Sequence, residues 1–410
     1  MSVTVLLVTS ACSNKIDHKK DYRVKDIVKT NSEFDTKALF STKIEYEDVE
    51  FAFPESCKGI RAIKYNGVDY LGQPTRIFAH IGIPQTPMPK NGYPAVVLAH
   101  GASGRAFAEW VKEYTDRGYV AISPDLDSQQ STALNTWYLN PEGGARAYNM
   151  REDVSGDFKD SSFYFNISNL ILANNLLRSL PEVDSKNIGL CGVSWGGMYA
   201  LIVAGIDKRF EAFTIFYSSA FIERTPFGDG HLHGFTPEMM ETYKTLFDSQ
   251  TYIPYSARPM LFTCGTDDGI FSMKEIQNTA DITPGKAFYS YKYSMPHDHE
   301  TGWWSLEQFA FFDHILKNEN SMIITDNIEI KDGIARFSYK GNPRIENVQM
   351  VYTTNDVSKG AHWNWSTKCL STIEFMGQNI FAVLPENTTA IFFEITDNNN
   401  VTVSTEIKYV

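Results

Sequence analysis

Residues Asn187-Ile188-Gly189-Leu190-Cys191-Gly192-Val193-Ser194-Trp195-Gly196-Gly197 pass from a short apolar strand directly into the apolar, helix-forming stretch Gly197 to Gly205. The serine stands at that strand-to-helix turn, inside a G-x-S-x-G run. Such a turn strains the backbone of its central residue, and only small residues fit beside it where strand and helix approach closely. It also lifts Oγ above the sheet, at a helix N-terminus whose dipole and N–H groups favour developing negative charge. Ser194 is therefore the candidate nucleophile. The bland reading is a tight turn, and placement between strand and helix separates the two readings better than the letters do.

Outward from this turn, the pattern is one of β-α-β units. Ala95 to Ala99 and Tyr119 to Ser123 are continuously apolar strands around a helical stretch, Ala106 to Arg117. Phe163 to Leu180 reads as a helix, Ala212 to Tyr217, Pro259 to Cys264 and Ala287 to Ser294 as strands, and Ser305 to Lys317 as the last helix. Continuously apolar strands alternating with helices predict a mostly parallel sheet covered on both faces, an α/β fold. Ile44 to Pro84 alternates apolar with polar residues, as antiparallel strands do. Residues 126–160 and 221–257 are polar and aperiodic, and read as insertions over the top of the sheet. After Asn320 the texture becomes short alternating strands punctuated by Gly, Pro and Asn, which predicts a β-sandwich-like domain over 321–410. At about 150 residues per domain, 410 residues suit this division into a leader (1–30), an α/β domain (31–320) and an all-β domain.

An unactivated serine is a poor nucleophile, so an acid and a base are expected downstream in the order Ser, acid, His. Gly265-Thr266-Asp267-Asp268 follows one strand and Met295-Pro296-His297-Asp298-His299 follows the next. Asp268, three residues past the glycine, has the reach expected of the acid, with Asp267 bracing the loop. His297, nearer the strand end, is the first choice for the base and His299 the alternate; the residue not used becomes a hydrogen-bonding neighbour or a substrate contact. For the oxyanion formed on attack, the expected donors are the backbone N–H groups of Trp195, next after the nucleophile, and of Ala102, in His100-Gly101-Ala102-Ser103-Gly104 after an apolar strand. A zinc site on the same histidines needs more ligands, for which His231 and His233 are the only evident supply, and no metal is expected.

Several stretches resemble one family. Tyr93 to Gly101, Phe107-Ala108-Glu109-Trp110-Val111, Arg117 to Ile122, Leu180-Pro181-Glu182-Val183-Asp184 leading into Gly192 to Gly197, Gly205 to Phe210, and Met295-Pro296-His297 with Gly302-Trp303 are similar to the acetyl xylan esterase-like bacterial α/β-hydrolases. The resemblance covers about residues 45 to 320. It implies an α/β-hydrolase fold, a triad of Ser194, His297 and Asp268, no cofactor, and deacylation of plant or host glycans as a serine esterase. Its wider circle includes peptidases of the prolyl-oligopeptidase type and dienelactone hydrolases. One departure is that relatives carry more glycine after the oxyanion-loop histidine, where this chain has Ala102-Ser103.

Lys plus Arg against Asp plus Glu gives 37 − 49 = −12, a field that repels phosphate backbones, so nucleic acid is excluded as a partner. A small-molecule or oligosaccharide ester is the expected partner, while oligomeric state is not legible. The five cysteines are too scattered for a disulfide framework, and Cys191 and Cys264 sit in apolar runs as core residues do. Val3 to Ser13 is a short apolar stretch ending in small residues and Cys12, followed by polar, lysine-rich Asn14 to Thr30. This resembles the end of a bacterial lipoprotein signal, with Cys12 lipidated and the protein held in the cell envelope. The alternative is a cytoplasmic protein, since no Lys or Arg precedes the apolar run and Thr9 stands where such signals usually carry Leu. Trp363 and Trp365 share a strand face and read as core, or, if exposed, as a platform for sugar rings. A degenerate hydrolase serving as a surface glycan-binding lipoprotein is the reading from another functional class; the ordered Ser, Asp and His argue against it.

Overall fold

The computed structural model describes residues 33–134, 136–145, 150–357, 363–369 and 375–410. Cys12 and the leader expected over 1–30 lie outside them. Strands β1 (Tyr46–Val49), β2 (Ile60–Asn66), β3 (Arg76–Gly82), β4 (Tyr93–Ala99), β5 (Val120–Pro124), β6 (Val183–Val193), β7 (Ala212–Phe216), β8 (Met260–Gly265) and β9 (Ala287–Lys292) line up in the order β1-β2-β3-β5-β4-β6-β7-β8-β9. The first three pair antiparallel, β3 joins β5 antiparallel, and from β5 to β9 every pairing is parallel. Strands β4, β5, β7 and β8 are buried at every position, as a sheet covered on both faces requires.

The cover comes from α1 (Ala108–Asp116), α2 (Ser162–Ser179), α3 (Trp195–Ile206), α4 (Pro226–His231), α5 (Met273–Ile282), α6 (His299–Trp304) and α7 (Leu306–Leu316). Helices α1 and α7 are tied by Tyr114, whose Oη donates to Gln308 Oε1 at 2.7 Å. Helix α2 is buried around nearly its whole circumference, so its polar side chains need partners inside the core. Asn166 Nδ2 donates to Tyr199 Oη of α3 at 3.2 Å, and Asn174 Nδ2 donates to Asp207 Oδ2 just beyond α3 at 3.1 Å.

Both insertions are more ordered than their composition suggests. Residues 126–160 contain a hairpin, Gln129–Ser131 with Trp137–Leu139, and a helix, Met150–Ser155. Residues 221–257 hold α4 and a second short helix, Pro237–Thr242, each begun by a threonine cap and a proline. These helices span six residues each, too short for a helical period to register.

Beyond α7 the chain forms β10 (Ile334–Lys340), β11 (Ile345–Thr353), β12 (Ser366–Cys369), β13 (Asn379–Val383), β14 (Ala390–Asp397) and β15 (Thr402–Ser404), with shorter strands between. Two sheets result, as a sandwich requires, and Phe337 of one meets Phe393 of the other at a ring separation of 4.9 Å. The larger sheet is not separate from the hydrolase sheet. Strand β15 pairs antiparallel with β9, so the order continues β9-β15-β14-β11-β12 in one 14-stranded sheet. This pairing covers an edge that β9 otherwise leaves open. Trp363 is buried and Trp365 half-buried against Phe392 of β14, which places the pair on the core side.

Candidate active site

Ser194 closes β6 and caps α3 with φ +55° and ψ −115°, a region that L-residues avoid. The strain is held from both sides: its N–H donates to Phe216 O at 2.8 Å, and its carbonyl accepts from Met198 N at 3.1 Å. A Cβ on Gly192 would lie 2.4 Å from Gly196 O, and one on Gly196 would lie 2.2 Å from Ala99 O. The glycines of the motif are thus required by contact between β6, α3 and β4.

The loops after β8 and β9 bring the acid and the imidazole to this turn. His297 Nε2 lies 2.8 Å from Ser194 Oγ, and its Nδ1 lies 3.0 Å from Asp268 Oδ2. Asp268 is buried, and its other oxygen accepts from the N–H groups of Ile270 (2.8 Å) and Phe271 (3.0 Å). The carboxylate is thereby aimed before any substrate arrives. The ring of Phe271 stacks on His297 at 5.9 Å and 11°, and Tyr217 meets the same imidazole at 4.9 Å. Asp267 faces solvent and accepts from Ser294 Oγ at 2.8 Å, tying the two loops together.

His299 points elsewhere. Its Nε2 accepts the Gly101 N–H at 3.0 Å, and burial, with the nearby His297 as a lesser cause, lowers its pKa from the usual histidine value. A ring nitrogen that accepts carries no proton, so His299 stands neutral with its lone pair committed. In the same loop, His100 Nε2 accepts from Leu126 N at 2.8 Å, which leaves the proton on Nδ1 to donate to Gly101 O at 2.8 Å. Burial pushes His100 down to about 3, so it too stays neutral. Of the loop's amides, Gly101 N–H goes to His299, and Gly104 N–H to Gly101 O at 3.0 Å. Among the described residues no bond is recorded for the Ala102 N–H. A trans peptide points its N–H opposite its C=O, and Gly101 O is held by His100 and Gly104, so the Ala102 N–H is turned away from them. Ala102 and Trp195 both line the cavity over Ser194.

The pattern of the dienelactone hydrolase family matches residues 79–288, just over half of the chain. The chain belongs to that family. Two solved structures share the fold of this dienelactone hydrolase family member. An acetyl xylan esterase from Paenibacillus sp. is 19% identical, covering 72% of this chain and 96% of its own, with a TM-score of 0.52. Acetyl Xylan Esterase 1 from Thermoanaerobacterium sp. is 16% identical over 67% of this chain and 89% of its own, with a TM-score of 0.50. No curated protein matches. The family match ends at 288, before His297 and His299, whose assignments rest on geometry alone.

In this dienelactone hydrolase family member the cavity over Ser194 measures about 550 Å³. Its outer wall is supplied by the second insertion: Phe227 packs on Trp195 at 5.0 Å and on His231 at 4.1 Å. His231 is therefore a wall residue, and His233 is exposed. Among the described residues no group of three or more His, Cys, Asp or Glu is placed to hold a metal ion, and no helix is long and apolar enough to cross a membrane. A second cleft of about 510 Å³, between α5, β9 and the C-terminal strands, contains no hydroxyl paired with an imidazole. Sequence reading did not find the ring contacts of Tyr217, Phe271 and Phe227; each stands in an apolar or irregular stretch that carries no chemical signature.

Proposed function

We propose that this hydrolase cleaves an ester through an acyl-enzyme on Ser194, and that its substrate is an acylated, foremost an acetylated, glycan. His297 takes the Oγ proton through Nε2 as Oγ attacks the carbonyl carbon, while Asp268 holds the imidazole by Nδ1 and stabilises the imidazolium that forms. The Trp195 and Ala102 N–H groups receive the oxyanion, each worth ~3 kcal/mol of barrier at comparable sites. The imidazolium then returns the proton to the departing sugar oxygen. Water, deprotonated by the same imidazole, releases the acid and restores Ser194. The observation that carries this reading is the unbroken chain from Asp268 Oδ2 to His297 to Ser194 Oγ, with contacts of 3.0 and 2.8 Å. The glycan reading is supported by the resemblance of the motifs to acetyl xylan esterase-like enzymes and by the fold shared with two of them.

Ser194→Ala is expected to remove turnover of p-nitrophenyl acetate by ~10⁴-fold or more while the thermal transition stays in place. Unchanged hydrolysis by that variant sinks the assignment. Acetate release from acetylated xylan, compared with cleavage of short peptides by the same preparation, tests the substrate class. Peptide cleavage without acetate release replaces the esterase with a peptidase.

A further inference from the structure

Gly101 immediately precedes the amide assigned to the oxyanion, and glycine is the residue least able to hold a backbone direction by itself. It cannot be replaced by a stiffer residue: a Cβ there would lie 2.9 Å from His299 Nε2 and 3.0 Å from Ser194 Cβ. The two peptides that meet at Gly101 therefore have to be held separately. Gly101 O is held from within the loop by His100 and Gly104, whereas its N–H is held only from another part of the molecule, by His299 Nε2 at 3.0 Å. The His299 ring packs on Phe107 at 5.3 Å, and its backbone opens α6, where Asp298 caps the helix by accepting Thr301 N at 2.7 Å.

We propose that His299 is a positioning residue: its unprotonated Nε2, by accepting the Gly101 N–H, anchors the His100–Gly101 peptide. From that fixed base the Gly101 carbonyl, held by His100 and Gly104, turns the Ala102 N–H towards the oxyanion. One segment, 297–301, then sets both halves of the machinery: His297 moves the proton and His299 fixes the loop that takes the negative charge. The inference rests on the acyl-enzyme reading of Ser194. It adds a role for a second imidazole that touches no reacting atom.

Two substitutions separate this role from simple packing. Methionine at 299 fills the space beside Phe107 without accepting a hydrogen bond, whereas a glutamine oxygen can still take the Gly101 N–H. With p-nitrophenyl acetate, His299→Met is expected to lower kcat ~30-fold with KM within ~3-fold, and His299→Gln to stay within ~5-fold of wild type in both. Equal rates for the two variants, high or low, overturn the proposal, as does a change confined to KM. If His299→Met does not fold, the imidazole ¹⁵N shifts of the wild type decide: an Nδ1–H tautomer throughout the active pH range is expected, and Nε2–H or imidazolium there overturns it. Ser194→Ala, run alongside, keeps the two failures apart. Residual turnover by that variant defeats the acyl-enzyme reading itself, whereas a dead Ser194→Ala beside indistinguishable His299 variants defeats only the role of His299.

Discussion

Asp125 lies at the end of β5 with one oxygen accepting the N–H groups of Gln129 (2.7 Å) and Asp127 (3.0 Å). Burial outweighs those bonds and pushes its carboxyl up to about 8. The folded protein therefore keeps a proton that the unfolded chain releases near pH 4, and stability falls as pH rises between about 4 and 8, by ~1.4 kcal/mol per unit for one proton. Asp125→Asn cannot release that proton. Urea unfolding at pH 5, 6 and 7 is expected to show the variant's stability gaining on the wild type's by ~1.4 kcal/mol per pH unit; parallel lines for the two proteins contradict the buried, protonated state. No sequence pattern marks Asp125, because what raises its pKa is burial by the assembled fold, which the local sequence does not record. The pairs Asp267/Asp268 and His297/His299 show the same limit at the chemical centre. Loop position favours Asp268 and His297, and the structure gives each residue a different partner: two backbone N–H groups for Asp268, Ser294 for Asp267, Ser194 for His297 and Gly101 for His299.

At the scale of elements, a strand buried on both faces and a turn built from glycine leave strong marks in a sequence, and β4 to β9 and the Ser194 turn were legible for that reason. The turn's glycines also differ in what they tolerate. A methyl group on Gly196 would press into the carbonyls of Ala99 at 2.2 Å and His100 at 2.5 Å, backbone atoms that cannot yield without moving β4 and the loop that carries Ala102. Gly196→Ala is expected to cost about 3 kcal/mol or more by chemical denaturation and to abolish turnover. Gly230 of α4 has open space around the same position, and Gly230→Ala is expected to be neutral or stabilising by up to ~1 kcal/mol through helix propensity. Similar losses for the two variants would mean that contact with β4 does not set the requirement. The short helices of the second insertion were illegible for the opposite reason: within six residues, capping and tertiary contact decide the conformation and periodicity has no room to show.

At the scale of the molecule, the alternating pattern after Asn320 revealed strands but not where their edge would go, since an open edge and a paired edge have the same composition. Several bonds bind β14, β15 and the segment after β15 to the hydrolase side: Ser290 Oγ to Thr402 O (2.7 Å), Tyr291 N to Ser404 Oγ (2.9 Å), Tyr293 N to Glu394 Oε1 (2.6 Å) and Ile407 N to Gln277 Oε1 (2.9 Å). Tyr291 itself is fully buried, against Phe392 at 6.0 Å. Two domains joined only by a linker would melt separately, whereas domains that share a sheet and bury each other's aromatics lose their contacts together. Calorimetry of the whole chain is therefore expected to give one transition with matching calorimetric and van't Hoff enthalpies. A chain ending at residue 320 would expose β9 as a bare edge beside an uncovered tyrosine, and is expected to aggregate or to melt well below the full-length protein. Two resolved transitions, or a soluble truncated hydrolase with undiminished Tm, would show that the shared sheet contributes little to the stability of the catalytic half.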